Sequence, residues 1–396
     1  MKEAVIVDVV RTAVGRGKSG GALSALHPAD VLGTTLRALV DRNQLDPALV
    51  DDVFAGCVSQ VGDQGFNLAR TAVLTAGFPE AVPATTIDRQ CGSSQQAAHF
   101  AAQSIMAGVN EIVIACGVES MSRVPMRSSE VGGDPFAPLS ARYPDGMANQ
   151  GVGAELIASR WKLSRGELDE FAAVSHQRAA QAQATGGFDA EIIPVTVPGA
   201  DGGTLVHSVD ETVRANTTAE GLAGLRPSFY TPEFANRFPE IEWSITPGNS
   251  SPLTDGASAA LLMSRERAEQ LGLRPRARFN AFAVVGSDPL LMLTGPIPAT
   301  QRILRQARLG IEDIDVFEVN EAFASVPLAW ARELGVDLAK VNPRGGAIAL
   351  GHPLGGSGTK LLATMLNHLE QTGGRYGLQT MCEGGGMANA TLIERI

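Results

Sequence analysis

The stretch Asp88-Arg89-Gln90-Cys91-Gly92-Ser93-Ser94-Gln95-Gln96 forms a turn between two elements of different type. An extended, β-prone run from Val82 to Ile87 precedes it, and an Ala-rich run from Ala97 to Ala107 with helical character follows it. The next segment, Glu111-Ile112-Val113-Ile114-Ala115, has the pattern of a buried strand. The order predicts a βαβ unit. It puts the Cys91 sulfur at a helix N-terminus, where free N–H groups and the helix dipole favour a thiolate.

A single cysteine at such a turn is compatible with a small buried thiol, but two distant segments favour a reactive one. Gly351-His352-Pro353-Leu354-Gly355-Gly356-Ser357-Gly358 follows the apolar run Ala347–Leu350, predicted as extended, and precedes a helix from Thr359 to Leu369. Its histidine can accept a thiol proton. Met381-Cys382-Glu383-Gly384-Gly385-Gly386-Met387 adds a second cysteine, and its glycines let backbone N–H groups approach a reacting oxygen.

The βαβ-rich unit occurs twice in the chain. The run His27-Pro28-Ala29-Asp30 opens a predicted helix before the strand 52–57, and Ile297-Pro298-Ala299-Thr300 opens another before the strand 315–320. Each half then continues with a strand, turn and helix, and ends with a strand that carries a cysteine, Cys116 or Cys382. In sheets that contain parallel strands, binding and catalytic sites usually lie beyond the carboxyl ends of the strands. We therefore expect Cys91, Asn320, His352 and Cys382 to meet at one site between the halves.

Bulk properties limit the classes of function. A chain of 396 residues with a formal net charge of −10 gives no support for nucleic-acid binding. The four cysteines show no Cys-x-x-Cys spacing, so neither a zinc site nor a redox dithiol is predicted. No apolar run approaches the length of a membrane span, which is about 20 residues. We expect a cytoplasmic protein.

Between the halves, residues 122–251 contain a predicted helix from Ser164 to Ala184 and irregular stretches rich in Gly, Pro and Ser. This region has too many apolar residues for a disordered segment and is predicted to be an inserted loop domain. The expected organisation is an N-terminal half at 1–121, the inserted loop domain at 122–251, completion of the N-terminal half at 252–274, and a C-terminal half at 275–396.

Four blocks in this order resemble the signature motifs of the thiolase family: Cys91-Gly92-Ser93, Asn320-Glu321-Ala322-Phe323-Ala324, Gly351-His352-Pro353, and Cys382 followed by Gly384-Gly385-Gly386. The resemblance covers essentially the whole chain. It implies the α/β thiolase fold, in which two similar βαβ-rich halves pack in an αβαβα arrangement of five layers with an inserted loop domain. It also implies a homodimer or homotetramer, with coenzyme A as a substrate and neither a cofactor nor a metal.

The resemblance also implies roles for the catalytic residues. Cys91 would attack a thioester or 3-ketoacyl carbonyl and hold the acyl group, His352 would take the thiol proton, and Cys382 would move the second proton. His352 and a water held by Asn320 would form one oxyanion hole. The backbone N–H groups of Cys91 and Gly384 would form the other.

The implied binding residues for CoA and acyl-CoA thioesters are less specific. Ser251 would hydrogen-bond the pantetheine arm, although an ordinary turn serine fits the sequence as well. Arg214 would lie near the adenine and phosphates, or be a solvated loop charge. Met147, Met292 and Phe323 belong to segments that face the acyl group in the family.

Several departures from the family pattern affect the substrate. Gly146 stands where short-chain biosynthetic thiolases usually carry a histidine, and Leu293 replaces a glycine. Glu383 replaces a small or apolar residue and would raise the pKa of Cys382 if it pointed inward. The sequence looks most like actinobacterial degradative thiolases. We therefore expect a 3-ketoacyl-CoA thiolase that releases acetyl-CoA or propionyl-CoA in fatty-acid or sterol side-chain β-oxidation.

Two alternatives remain open from the sequence. One is a biosynthetic acetoacetyl-CoA thiolase, which would condense two molecules of acetyl-CoA. The other is a non-catalytic acyl-CoA-binding protein, although such relatives typically lose one of the blocks that are intact here.

Overall fold

The structure is a computed structural model, and it describes residues 2–199 and 202–396. Its strands are β1 Ala4–Thr12, β2 Gly15–Arg16, β3 Asp52–Gly56, β4 Ala84–Ile87, β5 Ile112–Ser120, β6 Ile192–Ile193, β7 Val195–Pro198, β8 Thr204–His207, β9 Thr254–Ser264, β10 Ala277–Gly286, β11 Val316–Val319, β12 Tyr376–Glu383 and β13 Met387–Arg395. Its helices are α1 Pro28–Arg42, α2 Leu68–Thr75, α3 Ser93–Met106, α4 Gln150–Arg160, α5 Arg165–Ala184, α6 Ala219–Ala223, α7 Pro232–Arg237, α8 Arg265–Gln270, α9 Pro296–Ala307, α10 Ser325–Leu334, α11 Ala347–Leu350 and α12 Ser357–Thr372.

One eleven-stranded mixed sheet runs through the part of the chain that the structure describes, in the order β11-β12-β13-β10-β1-β9-β5-β3-β4, with β2 and β6 attached at β9 and β1. The first half supplies β1, β9, β5, β3 and β4, and the second supplies β10, β13, β12 and β11. The two halves join where β1 pairs antiparallel with β10, with Val5 opposite Arg278. The strand order is therefore mirrored about this central pair.

The helices form three layers around the two halves of the sheet. Helices α1 and α2 cover one apolar core on the first half, and residues of α9 and α10 cover another on the second half. Between them, α3 and α12 contact each other and pack in one core with strands of both halves. The chain thus has the predicted α/β fold, and the two helices that follow the Cys91 and His352 turns share its centre.

Equivalent hydrogen bonds fix how the two halves align. Asp51 Oδ2 accepts hydrogen bonds from the N–H groups of Glu111 and Ile112 at 2.7 and 2.9 Å, and Asp315 Oδ2 does the same for Arg375 and Tyr376 at 2.7 and 2.9 Å. Counting along β5 and β12 from these pairs aligns Cys382 with Val118, not with Cys116. Cys116 lies in the middle of β5, so the prediction that the cysteines are equivalent strand ends was wrong.

The expected strand before His352 is also absent, because Ala347–Leu350 forms the short helix α11. The buried carboxylate of Glu321 accepts a hydrogen bond from the N–H of Ile348 at 3.1 Å and so stabilises the first turn of this helix. The counterpart of β4 in the second half is a single parallel bridge between Phe317 and Val341. His352 therefore follows a helix, whereas Cys91 follows a strand.

The region between the halves packs against both of them. Residues of α4 and α5 share an apolar cluster with Met292, Phe323 and Cys382, and β6 pairs parallel with β1. Within the described ranges, none of the helices is both long and apolar enough to span a membrane. The inserted region thus forms one wall around the candidate reaction centre.

Candidate active site

The turn that carries Cys91 is held in an unusual backbone conformation. Gln90, the preceding residue, has φ +47°, in the left-handed region that non-glycine residues rarely adopt. The N–H of Gln90 donates to Asp88 Oδ1 at 2.6 Å. The Ser93 hydroxyl accepts from the N–H of Arg89 at 2.9 Å and donates to the carbonyl of Gln90 at 2.6 Å. These bonds fix the sulfur just before α3.

Both halves of the chain surround the Cys91 thiol, which is 8% exposed. It packs with Met121 and with two side chains of the second half, Leu354 from the His352 loop and Met381 from β12. Backbone N–H groups of Cys91 itself and of Gly384 interact with the sulfur and favour its charged form. The Cys91 turn and the glycine loop after β12 therefore meet at one sulfur atom.

Burial nevertheless dominates the ionisation of this thiol. Loss of solvent raises the pKa of Cys91 to about 12, and the neighbouring Glu383 acts in the same direction, against the two N–H groups. The sequence predicted a thiolate, because a helix N-terminus lowers the pKa of a cysteine. The structure contradicts that prediction, because desolvation outweighs the helix N-terminus, so Cys91 needs a base to react.

His352 is held in the tautomer that a base requires. Its Nδ1 lies 2.6 Å from the Ser357 hydroxyl, which donates to the carbonyl of Pro353 at 2.9 Å. The hydroxyl therefore accepts the Nδ1 proton, and Nε2 is left with its lone pair, 3.3 Å from Nδ2 of Asn320. Burial, with a smaller contribution from Lys360, lowers the pKa of His352 to about 3, so the imidazole is neutral.

Cys382 is the second thiol at this junction. It occupies the penultimate position of β12, is 1% exposed, and shares an apolar cluster with Met292 and Phe323. Burial raises its pKa well above the usual range, and the nearby Cys91 raises it further. Both thiols are thus protonated and close enough to influence each other.

The loop after Cys382 needs glycine for its conformation. Gly385 and Gly386 have φ of +82° and +77°, which residues with a side chain seldom adopt. A Cβ atom on Gly384 would come 2.9 Å from Oε1 of Gln90, in the Cys91 turn. The glycines let this hairpin turn approach the nucleophile closely.

The predicted binding residues fall in two groups. Ser251 lies beside the reaction centre, because its N–H donates to the carbonyl of Ala322 at 3.0 Å, next to Phe323. Met292 is buried against the Cys382 cluster. Met147 is half-buried in the loop before α4. Arg214 is exposed in the loop before α6, where its N–H donates to Nδ1 of His176 at 3.2 Å. The structure therefore brings Ser251, Met292 and Phe323 to the junction.

Two supporting residues were missed from the sequence. Ser357 orients His352, and its position five residues after the histidine, at the start of α12, was the available signal. Asn389 donates through Nδ2 to the carbonyl of Gly92 at 3.0 Å and so ties β13 to the Cys91 turn. Its position on a distant strand gives no such signal.

Comparison with known proteins identifies the family to which this site belongs. The chain matches the thiolase N-terminal domain over residues 4–266 and the thiolase C-terminal domain over residues 273–395. The chain belongs to the thiolase family. This result confirms the predicted family, and with it an acyltransferase.

Similar thiolases match along their full length. The steroid 3-ketoacyl-CoA thiolase FadA6 of Mycobacterium tuberculosis is 48% identical, over 100% of this chain and 95% of the relative. A 3-ketoacyl-CoA thiolase of Serratia proteamaculans is 46% identical over 100% of both chains. The crystal structure of the Bacillus anthracis acetyl-CoA acetyltransferase superposes with a TM-score of 0.90 at 37% identity, covering 100% of this chain and 99% of that one. The thiolase fold is confirmed.

Proposed function

We propose that this thiolase cleaves 3-ketoacyl-CoA substrates with coenzyme A and that Cys91 carries the acyl group. The observation that carries the proposal is the convergence of the Cys91 and Gly384 N–H groups on the Cys91 sulfur, beside Cys382. Two donors at a nucleophilic atom can also stabilise the oxyanion that forms when that atom attacks a carbonyl. The relatives named 3-ketoacyl-CoA thiolase support this choice of substrate.

In the first half-reaction, the Cys91 sulfur attacks the 3-keto carbon and its proton moves to Nε2 of His352. The bond between C2 and C3 then breaks. Its electron pair passes to C2 of the departing acetyl-CoA or propionyl-CoA enolate, which takes a proton from Cys382. Because burial keeps both His352 and Cys91 neutral, the proton transfer accompanies the attack and no free ion pair forms beforehand.

In the second half-reaction, the Cys382 thiolate takes the proton of the incoming CoA thiol. The CoA sulfur attacks the acyl group, Cys91 leaves, and the imidazolium of His352 returns the proton to it. Both thiols and the imidazole regain their starting states. No metal or cofactor is needed, since every proton and electron pair is accounted for by these groups and the substrates.

We also propose substrate contacts for the binding residues that the family resemblance implies. Ser251 would hydrogen-bond the pantetheine arm, since it adjoins the Ala322–Phe323 segment. Met292, Phe323 and Met147 would contact the acyl chain. Arg214 would pair with CoA phosphates from its exposed loop. A water held by Oδ1 of buried Asn320, which accepts no hydrogen bond from the described residues, would join His352 in the second oxyanion hole.

Acetoacetyl-CoA synthesis is the second candidate, favoured by the close superposition with an acetyl-CoA acetyltransferase. A panel of 3-ketoacyl-CoA substrates from four carbons to bulky branched acids separates the two. We expect cleavage of longer substrates to equal or exceed that of acetoacetyl-CoA. A strict preference for four carbons would favour the biosynthetic function.

The decisive test of the mechanism is a covalent adduct. Incubation with acetoacetyl-CoA should add the mass of an acetyl group to the peptide containing Cys91. Cys91→Ala should abolish both adduct and thiolysis, whereas Cys116→Ala, in a buried thiol of β5, should retain both. Normal turnover by Cys91→Ala would reject the assignment.

We also propose that the enzyme works in the cytoplasm as a homodimer or homotetramer. All four cysteines are free thiols, as a reducing compartment requires. Sedimentation velocity of the purified full chain would give the oligomeric state.

A further inference from the structure

A second carboxyl group lies unexpectedly close to the nucleophile. Glu383 is 0% exposed, and within the described residues no group donates a hydrogen bond to either of its carboxyl oxygens. A Cβ atom on Gly92 would come 2.1 Å from its Oε1 and 2.7 Å from Nδ2 of Asn389. The carboxyl group therefore fills the space against Gly92, the residue that follows Cys91.

The repeat supplies an internal comparison for this residue. Glu383 lies seven residues after Tyr376, and Glu119 lies seven residues after Ile112, which the matching Asp315 and Asp51 contacts make equivalent. Glu119 is also buried, but its carboxylate accepts hydrogen bonds from the N–H groups of Val58, Ser59 and Gly355 and from Nε2 of Gln64, at 3.0, 3.1, 2.9 and 2.8 Å.

Glu119 therefore has a structural role that Glu383 lacks. Gly355 precedes the first residue of α12, Ser357, by two positions, as Cys91 precedes Ser93 of α3. Each carboxyl group thus approaches the loop of the opposite half, but only Glu119 is hydrogen-bonded to it. Burying a carboxyl group without a donor is costly, so stability does not explain Glu383.

The surroundings of Glu383 set its charge. The pKa of Glu383 is raised to about 8, chiefly by burial. Two charged residues of the turn before Cys91 have smaller effects on this pKa: Arg89 lowers it and Asp88 raises it. Two thiols are close to this carboxyl group: Cys91 directly precedes Gly92, and Cys382 directly precedes Glu383 on β12. The Glu383 carboxylate raises the pKa of both thiols. Glu119 acts on Cys91 in the same direction, as the smallest of the contributions.

We propose that Glu383 is a positioning residue of the reaction centre, and that Cys91 is a better nucleophile when the Glu383 carboxyl group is protonated. The inference rests on the role proposed above for Cys91. A charged Glu383 would place an anion beside the sulfur where the thiolate develops, and protonation removes that repulsion. Ionisation of Glu383 at alkaline pH thus opposes formation of the nucleophile, although the carboxyl group does not touch the substrate.

The test compares Glu383→Gln with wild type and with Glu119→Gln, the matched variant in the other half. The rate of Cys91 alkylation by iodoacetamide is followed against pH, with the modified residue located by peptide mass spectrometry. Glutamine mimics the protonated carboxyl group, so Glu383→Gln and wild type should react at similar rates below about pH 7. Above about pH 8, the variant should react up to about tenfold faster, which corresponds to a shift of one unit in the Cys91 pKa. Glu119→Gln should lower the melting temperature and shift the alkylation profile less.

Superimposable profiles for Glu383→Gln and wild type would overturn the proposal, and so would an equal shift in Glu119→Gln. If Glu383→Gln does not fold, the pH profile of the wild-type enzyme provides the test. The logarithm of the Cys91 alkylation rate, plotted against pH, should rise less steeply near pH 8 than below it. A straight line of unit slope would overturn the proposal. Alkylation requires no turnover. Failure of the acyl-Cys91 experiment would therefore reject the proposed function without affecting this comparison.

Discussion

Nδ2 of Asn320 lies 3.3 Å from Nε2 of His352, although the two residues follow different kinds of secondary-structure element. Asn320 follows β11, and His352 follows α11. Oδ1 of Asn320 is buried and accepts no hydrogen bond from the protein within the described ranges. The amide therefore contacts the imidazole with one end and leaves the other for a ligand.

Removing this amide should affect catalysis far more than stability. Asn320→Ala deletes the group that we propose holds the oxyanion water, and losing such a donor typically lowers kcat by about a hundredfold to a thousandfold. Steady-state thiolysis of acetoacetyl-CoA would measure the effect. Asn110→Ala, at a half-buried asparagine in the loop after α3, is the control and should keep wild-type kcat. An Asn320→Ala enzyme within a few-fold of wild type would exclude the oxyanion role.

The Ser357 hydroxyl should contribute through the tautomer of His352. Ser357→Ala removes the acceptor that lies 2.6 Å from Nδ1, so the proton is no longer confined to that nitrogen. A neutral hydrogen bond contributes about 1 kcal/mol, which predicts about a fivefold lower kcat with KM nearly unchanged. Ser104→Ala, at a hydroxyl that donates to a helix carbonyl and accepts from Asn110 Nδ2, should have no effect on kcat. A change confined to KM would instead place Ser357 in substrate binding.

The parts of the fold that could be predicted are those with local signals. The β-prone run before Cys91 and the Ala-rich run after it became β4 and α3, because β-branched residues favour strands and alanines favour helices. The thiolase blocks gave the family, which the comparisons confirm. The roles of individual site residues remain predictions that the experiments above test.

The failures came from interactions between distant residues. The apolar residues of Ala347–Leu350 predict a strand, but the Glu321 carboxylate at the N-terminus of this segment stabilises a helix. The cysteine near the end of each predicted strand suggested that Cys116 and Cys382 are equivalent. The hydrogen bonds that the Asp51 and Asp315 carboxylates accept fix a different register. A helix N-terminus predicts a thiolate at Cys91, but the extent of burial that opposes it depends on both halves.

Gly92 should tolerate no side chain, because Glu383 and Asn389 occupy the space next to it. Gly92→Ala should lower the free energy of unfolding by about 1–3 kcal/mol, the usual cost of overpacking, and should displace the neighbouring nucleophile. Thermal unfolding and the yield of acyl-Cys91 would measure these effects. In Gly133→Ala the added Cβ meets no atom of the described residues within 4 Å, so that variant should match wild type in both measurements. Wild-type stability in Gly92→Ala would contradict the packing described here.

The stability of the enzyme should fall in mild acid, because buried histidines stay neutral in the folded state. His99 is 0% exposed, and burial, with a smaller contribution from Arg89, lowers its pKa to about 3. In the unfolded chain a histidine titrates near 6.5, so below that pH the unfolded state binds a proton that the folded state does not. The folded state therefore loses stability as the pH falls from about 6.5 towards 3.

A variant of His99 would isolate this contribution from those of the other histidines. His99→Gln keeps a polar group that can reach the Thr391 hydroxyl, which lies 2.7 Å from Nε2 of His99, but it cannot be protonated. Between pH 7 and pH 5, wild type should lose about 2 kcal/mol more unfolding free energy than the variant, since one proton contributes about 1.4 kcal/mol per pH unit below 6.5. Urea unfolding at both pH values would measure the difference. Parallel losses in the two proteins would mean that His99 is protonated in the folded state, and the core around α3 would then be more polar than the structure shows.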